Sequence, residues 1–316
     1  MPKTSKPRAG SLQFWPRKRV RKFLPSVNWK AISSDNSLLG FIGYKVGMAS
    51  CVVKDNTPNS LTKDKKIVVP ASIIELPPVK IFSVRFYRQG KVVSEIVVGD
   101  DKELKKKVKL PKTKKPVKTI DDVKDYDDVR IIIYSKVKET GIKKTPDLAE
   151  VGLGKSKEDK IKFIKENLGK EISGLEILKP GLIDIRGLTK GKGLQGPVKR
   201  FGIKLKQHKS EKGRRRPGNI GPWHPAHVTF RAPMAGQIGL FSRVNYNSKI
   251  ISFGKISEKN INPKSGFKNY GNIKTEYLIV GGSVSGPAKR QLLLTSPLRP
   301  TKKQGKKNYE FVGLAR

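Results

Sequence analysis

The sequence has one cysteine, Cys51, three histidines and only 26 acidic residues among 316. A single thiol excludes an internal disulfide and any metal cluster built on several cysteines. It is consistent with a reducing, cytosolic compartment. Cys51 lies in the strand-like run GMASCVVKD, where a free cysteine reads as a buried packing residue. No stretch approaches the roughly 18 consecutive apolar residues of a membrane-spanning helix. The N-terminal MPKTSKPRAGSLQFWPRKRVRKF lacks the apolar core, about 7–15 residues long, of a secretory signal. A membrane is therefore not an expected partner. No Ser/His/acid triad and no acid–base pair of carboxylates stands out, so neither enzyme chemistry nor a small-molecule substrate is expected.

What the chain has in abundance is positive charge. Lys and Arg number 68, for a formal net charge of +42 and a pI near 10.3. Such an excess repels itself in a compact state and calls for a polyanion. Nucleic acid fits, because each neutralised phosphate releases a condensed counterion. The chain is not a disordered basic tail, since 36% of it is hydrophobic before its 30 glycines are counted, ordinary globular usage. Charge alone would equally suit a general nucleic-acid-compacting basic protein, and that alternative stays open here.

Residues 1–37 read as an extended basic arm, interrupted by prolines at 2, 7, 16 and 25. Residues 38–98 read as β text: LLGFIGYKVGMASCVV, KIVVPASIIEL, VKIFSVRFYRQG and KVVSEIVVGD, with a Pro-Pro pair marking a turn. Several short strands at this spacing argue for a small barrel or sandwich. Residues 99–177 change character and read as an αβ insertion. VRIIIYSKV suits a buried strand, and KEDKIKFIKENLGKEI places Ile161, Ile164 and Leu168 on one face of a helix ending near Gly169. The acids Asp121, Asp122, Asp125, Asp127 and Asp128 lack calcium-loop spacing and read as a solvated face or a counterweight to the lysines. A strand over 178–186 precedes a Gly-, Pro- and Arg-rich segment, 187–244, and β text resumes over 245–316.

GLTKGKGLQGPVKR opens that segment, and its GKGLQG fits G-x-G-x-x-G. A dinucleotide site would need a following helix with an apolar stripe and an acid about 20 residues on. PVKRFGIKLKQHKSEKGRRRPG offers neither. A P-loop fails too, because Gly187 and Gly191 enclose three residues, one too few, and Gly193 follows Lys192. The same physics suits a longer anion: Gly187, Gly191, Gly193 and Gly196 let backbone approach a sugar–phosphate chain. Between 187 and 218 lie Lys190, Lys192, Lys199, Arg200, Lys204, Lys206, Lys209, Lys212, Arg214, Arg215 and Arg216 against the single acid Glu211. A segment so charged orders on its partner rather than alone. Further on, Trp223 sits between turn residues, suited either to stacking on a base or to local anchoring. His224 and His227 form H-x-x-H without a third ligand nearby, so no metal site is expected. His208, His224 and Arg231, with Arg17, Lys18 and Arg19 of the arm, complete the candidate RNA contacts.

Taken together, GFIGYKVGMASCVV, VPASIIELPPVKIFSVRFY, DIRGLTKGKGLQGPVKRFG, GRRRPGNIGPWHPAHV and GFKNYGNIKTEYLIVGGSVSGPAKR resemble the universal L-three family of large-subunit ribosomal proteins, in its archaeal form. Asp184, Thr189, Gly191, Gly193, Gly196 and Arg200 fall on the family's pattern, while Ile177 stands where Phe or Leu is usual. The resemblance implies a mainly β fold: a six-stranded barrel of the translation-protein type with an inserted αβ subdomain, a long basic finger loop and an extended N-terminal arm. It implies a cytoplasmic structural constituent of the large ribosomal subunit that binds large-subunit rRNA, neighbours other ribosomal proteins and acts early in assembly. The finger would reach towards the peptidyl-transferase centre and influence aminoacyl-tRNA accommodation, with Trp223 near its tip. His208 corresponds to a histidine methylated in some eukaryotic members. No cofactor is implied beyond Mg2+ or K+ held mainly by the rRNA, and no homo-oligomer.

Overall fold

A computed structural model describes residues 11–34, 36–110, 119–123, 125–177, 181–209 and 213–315, without the side chains of 121, 176 and 177. The elements are β1 (Gly40–Asp55), β2 (Lys66–Leu76), β3 (Val79–Arg88), β4 (Lys91–Val97), β5 (Asp128–Ser135), β6 (Leu148–Gly152), α1 (Lys157–Asn167), α2 (Gly174–Ile177), β7 (Leu182–Leu188), β8 (Leu194–Gln195), α3 (Pro197–Phe201), β9 (Gly236–Gln237), β10 (Ser242–Lys255), β11 (Glu276–Gly281), β12 (Gln291–Thr295), α4 (Lys302–Gly305) and β13 (Tyr309–Leu314). The protein is mainly β. Its contacts divide it into two units, residues up to 22 with 189–242, and 23–188 with 243–316.

The larger unit holds two antiparallel sheets. In the first, β12, β7, β10, β11, β2 and β1 pair in that order, β13 lies beyond β1, and β1 also pairs with β12. The pairings therefore return to the strand from which they started. β1 makes this possible by its length. Its first half, Gly40–Tyr44, runs beside β12 and its second half, Cys51–Asp55, beside β13, while β2 follows the other edge with a bulge between Lys45 and Gly47. Burial follows the same division. The first seven residues are all buried and the last nine alternate, the pattern of a strand covered on two faces that becomes half-exposed.

The second sheet runs β4-β3-β5-β6. The sequence places the text of β3 and β4 with the barrel strands of 38–98; β3 pairs instead with β5 of the inserted segment, and β4 lies beyond β3 in the same sheet. The Pro77–Pro78 pair, which cannot donate to a ladder, separates β2 in one sheet from β3 in the other. β3 and β4 join through Gln89 (φ 48°) and Gly90 (φ 79°), two left-handed residues as a type I′ hairpin requires. α1 begins at Ser156, whose hydroxyl accepts from the Asp159 amide, and Gly169 follows it at φ 72°. Ile164 is its fully buried residue. The acid cluster is put to local use: Asp125 pairs with Arg88, Asp127 accepts from the Gln89 amide at 2.6 Å, and Asp128 holds Arg130 at 3.2 Å and Lys160 at 2.7 Å.

One large core joins the two sheets, from Phe41, Ile42 and Leu76 to Ile81, Val84, Phe86 and Ile131. A second lies within the first sheet, among Val46, Cys51, Ile73, Ile251, Tyr277 and Ile279. The expected arm is not extended throughout. Trp29 and Ile32 are buried in the large core, because an indole is among the largest apolar areas a chain can remove from water. A Cβ on Gly40 would lie 2.6 Å from the Trp29 ring, so the strand is glycine where the indole crosses it. Residues 1–10 lie outside the described range.

A buried carboxylate ties the ladder to its flanking loop. Glu75, fully buried on β2, accepts from the amides of Lys274 (2.8 Å) and Thr275 (3.0 Å), from the Thr275 hydroxyl (3.1 Å) and from the Tyr270 hydroxyl. Glu75→Ala strands these donors and is expected to cost about 3 kcal/mol or more, read as a lower thermal or denaturant midpoint. Burial pushes the Cys51 thiol up to about 11. Native protein at pH 8 should leave Cys51 unmodified by a thiol reagent that labels it fully in denaturant; rapid native labelling would contradict its packing role.

Candidate nucleic-acid interface

The smaller unit leaves the first sheet at the end of β7 and returns at β10. Its base is closed by Thr189, whose amide donates to Phe241 O (3.0 Å) and whose hydroxyl accepts from the Phe241 amide (3.1 Å). Above this the two chains stay paired: Lys192 N donates to Ile238 O, Ile238 N to Gly193 O, and β8 pairs with β9. Within the outgoing chain, Lys206 N donates to Arg214 O at 3.2 Å and Arg214 Nε returns a bond to Lys206 O, closing a local turn. The outgoing and returning chains are thus paired at the base of the segment, over 189–195 and 236–241.

A short helix does follow the glycine motif. α3 starts on Gly196 with Pro197 at its first position, and stops at Gly202 in the left-handed region (φ 68°). It is five residues long and buries none of them, unlike the helix of a dinucleotide fold. The four glycines differ in use. Gly193 (φ 64°) and Gly196 face open space, so a partner's backbone can approach there. Gly191 is exposed, with Leu240 behind it at 3.1 Å from an added Cβ. Gly187 belongs to β7, is buried, and would put a Cβ 2.6 Å from the Leu292 side chain. Its smallness serves packing rather than access.

Besides Arg214, two of the predicted phosphate ligands, Arg17 and Arg200, donate to carbonyls within the protein. Arg200 donates from Nε to Gln237 O (3.1 Å), from Nη1 to Met234 O (3.0 Å) and from Nη2 to Arg17 O (3.0 Å), and Arg17 Nη1 donates to Arg200 O at 2.5 Å. The reciprocal pair fastens the arm to the base of the segment. Around it, Trp15 stacks on Phe201 at 5.5 Å and meets Phe230 edge-on at 6.3 Å, with the Arg17 guanidinium 4.6 Å from the Phe201 centroid. Burial, and then the Arg17 charge, pull the Arg200 pKa down. Trp15, Phe201 and Phe230 were not singled out in the sequence. They lie far apart along the chain and follow no period, so no local pattern marks them.

The other candidates are directed outwards. Lys18, Arg19, Lys190, Lys192, Lys199, Lys204, His208, Lys209, Arg214, Arg215, Arg216, His224 and Arg231 are exposed, and Lys206 is half-buried. Lys212 lies outside the described residues. Apart from Lys206, none of this set pairs with a carboxylate among the described residues. Trp223 is 87% exposed and borders a shallow hollow of about 310 Å³ with Ile220, Pro222, Pro225, His227 and Val228. Among the described residues it joins no buried hydrophobic cluster. His224 and His227 join no group of three metal-ligating side chains among the described residues.

A mainly β protein with a long segment of outward-facing cations between two strands of one sheet is the class these features define. Comparison with known proteins gives the family. The family described as Ribosomal protein L3 matches residues 1–312. Similar proteins, each named large ribosomal subunit protein uL3, occur in three archaea. That of Picrophilus torridus is 38% identical over 307 residues, 93% of this chain and 92% of the relative. That of Archaeoglobus fulgidus is 38% identical over 312 residues, 95% and 94%. That of Methanosphaera stadtmanae is 38% identical over 320 residues, 96% and 95%. The chain belongs to the ribosomal protein L3 family, and is a structural constituent of the large ribosomal subunit rather than an enzyme.

Arg200→Ala removes three donors to backbone carbonyls and should free the arm from the strand base. Amide exchange over 196–202 and 234–238 is expected to rise about tenfold or more, the equivalent of roughly 1.4 kcal/mol or one charged hydrogen bond. Exchange in β1 and β2 should not change. Unaltered exchange at the base would mean that the clamp is not what holds it.

Proposed function

We propose that the segment 189–242, paired at its base and with residues 11–22 beside that base, is a finger that penetrates large-subunit rRNA, and that the larger unit is the platform that carries it. The observation that carries the reading is the set of exposed cations Lys190, Lys192, Lys199, Lys204, Lys209, Arg214, Arg215 and Arg216, which have no carboxylate partner among the described residues. Phosphates supply the missing counter-charge, and their contacts position the protein without reading sequence. Gly193 and Gly196 allow close approach of the sugar–phosphate chain. Lys190, Lys192, Lys199, Lys204, Lys206, Lys209, Arg214, Arg215 and Arg216 take phosphates, with His208, His224, Arg231, Lys18 and Arg19 at the margins. Arg17 and Arg200 act one step back, by holding the finger's base.

The return of the strand pairings from β1 to β12 supports reading the first sheet as the six-stranded barrel of the family, with the second sheet and α1 as its αβ insertion. On this reading the finger extends towards the peptidyl-transferase centre. Trp223, exposed near the far end of the segment, fills a niche among bases and influences aminoacyl-tRNA accommodation. Incorporation is early, neighbouring ribosomal proteins touch the larger unit, and any Mg2+ or K+ is held mainly by the rRNA. The place of action is the cytoplasmic ribosome.

The test is sedimentation of the tagged protein from a native lysate through a high-salt gradient. An integral constituent stays with the large subunit near one copy per particle; a general nucleic-acid-compacting protein is stripped and follows DNA or free RNA. Replacing Arg214, Arg215 and Arg216 together by Ala should lower incorporation several-fold. Trp223→Ala should enter subunits normally and slow aminoacyl-tRNA accommodation in those particles. Normal tRNA binding and elongation in Trp223→Ala subunits would remove the tip role and leave the phosphate contacts standing.

A further inference from the structure

The loop between β11 and β12, residues 282–290 with sequence GSVSGPAKR, is built around a lysine where a carboxylate would be usual. Lys45, on β1, is 8% exposed, and its Nζ donates to Val284 O (2.6 Å) and Gly286 O (3.0 Å). The end of the loop is fixed to the same residue: Lys45 N donates to Arg290 O (2.9 Å), and Lys289 N to Lys45 O (2.7 Å). With two carbonyls consumed by the ammonium, the loop is left rich in donors. Among the described residues the amides of Ser285, Gly286 and Ala288 donate to nothing.

Arg290 adds a larger unmet donor. Its stem packs on Gly286 (φ 95°), where an added Cβ would lie 2.7 Å from Arg290 Cγ. Its guanidinium carbon sits 5.2 Å from the Phe23 centroid, and Nη1 is shut off from solvent without an acceptor. Lys289 stands exposed beside it in the left-handed region (φ 67°). None of Lys45, Lys289 and Arg290 pairs with a carboxylate among the described residues. Burial pulls the pKa of both Lys45 and Arg290 down, a penalty on the charged forms that a bound anion would remove. Consecutive amides without acceptors beside fixed cations are the elements of a phosphate-binding nest.

We propose that the 282–290 loop is an anion site that takes a phosphodiester of RNA. Arg290 and the amides of Ser285, Gly286 and Ala288 are its donors, Lys289 stands at its rim, and Lys45 is the residue that positions the loop. The site belongs to the larger unit; its choice of RNA as the phosphate source rests on the proposed function.

The test uses the full chain and deproteinised large-subunit rRNA, with affinity measured across salt concentrations. Each phosphate contact contributes about 0.7–0.9 to the slope of log affinity against log salt. Arg290→Gln, with melting temperature and circular dichroism checked, is expected to lower the slope by about that amount. Lys289→Asn, which keeps a residue tolerant of the left-handed region and alters only an exposed side chain, is expected to lower it similarly, and decides the matter if Arg290→Gln does not fold. The Arg214/Arg215/Arg216 triple Ala variant serves as the comparison. If it lowers the slope and the loop variants do not, the loop site is wrong and the finger reading stands. If none of the three changes the slope, both fall. Thermal stabilisation of wild type by inorganic phosphate, absent in Arg290→Gln while the RNA slope is unchanged, would assign the loop to free phosphate and overturn the RNA source.

Discussion

Like charges cannot be packed together without something to offset them, and this chain meets that constraint in two different ways. In the inserted sheet, cations and acids interlock: Arg85 with Glu95 and Glu150, Arg130 with Glu150 and Asp128, Lys160 with Asp128. These cations find their counter-charge within the fold. Apart from Lys206, the exposed cations of 189–242 and 11–22 have no such partners among the described residues. What positive charge these segments hold is either spent on carbonyl oxygens, as at Arg17 and Arg200, or left facing outwards. The net charge of +42 is therefore an uneven quantity, concentrated where the fold gives it no relief.

The rest of the architecture follows from holding such a segment still. β7 and β10 are neighbours in one sheet, so the two ends of the finger start side by side. Thr189 and Phe241 close the opening, and the Arg17–Arg200 exchange with the Trp15–Phe201–Phe230 cluster gives the smaller unit a modest core. On the larger unit, buried polar groups take over where apolar packing alone would leave loops undefined. Glu75 gathers the 270–275 loop, Tyr44 and Ser135 meet Asp147, and Lys45 gathers the loop before β12. A satisfied buried polar group specifies one arrangement more sharply than interchangeable hydrophobic contacts do.

Local signals in the sequence were read well where they are carried by neighbouring residues. The spacing of Ile161 and Ile164 located α1, Gly169 its end, and the apolar run around Cys51 a buried strand. Pairing between distant strands has no such local trace. Nothing in VKIFSVRFYRQG says that its partner is VRIIIYS, some 50 residues on, rather than the adjacent KIVVPASIIEL, and so β3 and β4 were grouped with the wrong sheet. The candidate interface divides in the same manner. Composition exposes the cationic run, but an arginine bound for a phosphate and one bound for a carbonyl look alike in sequence. Arg200 could be told apart only by a contact 183 positions away. Gly187 and Gly193 likewise share a motif and differ in whether a neighbouring strand fills the space beside them.

Thr189 with Phe241, Lys192 and Gly193 with Ile238, and β8 with β9 pair the two ends of the 189–242 segment, while Lys206 and Arg214 close a turn within the outgoing chain. A segment tethered at both ends in this way has no free end. It can enter a cavity only as a bight, tip first and two chains abreast, so any opening that admits it must be about twice as wide as one that admits a single strand.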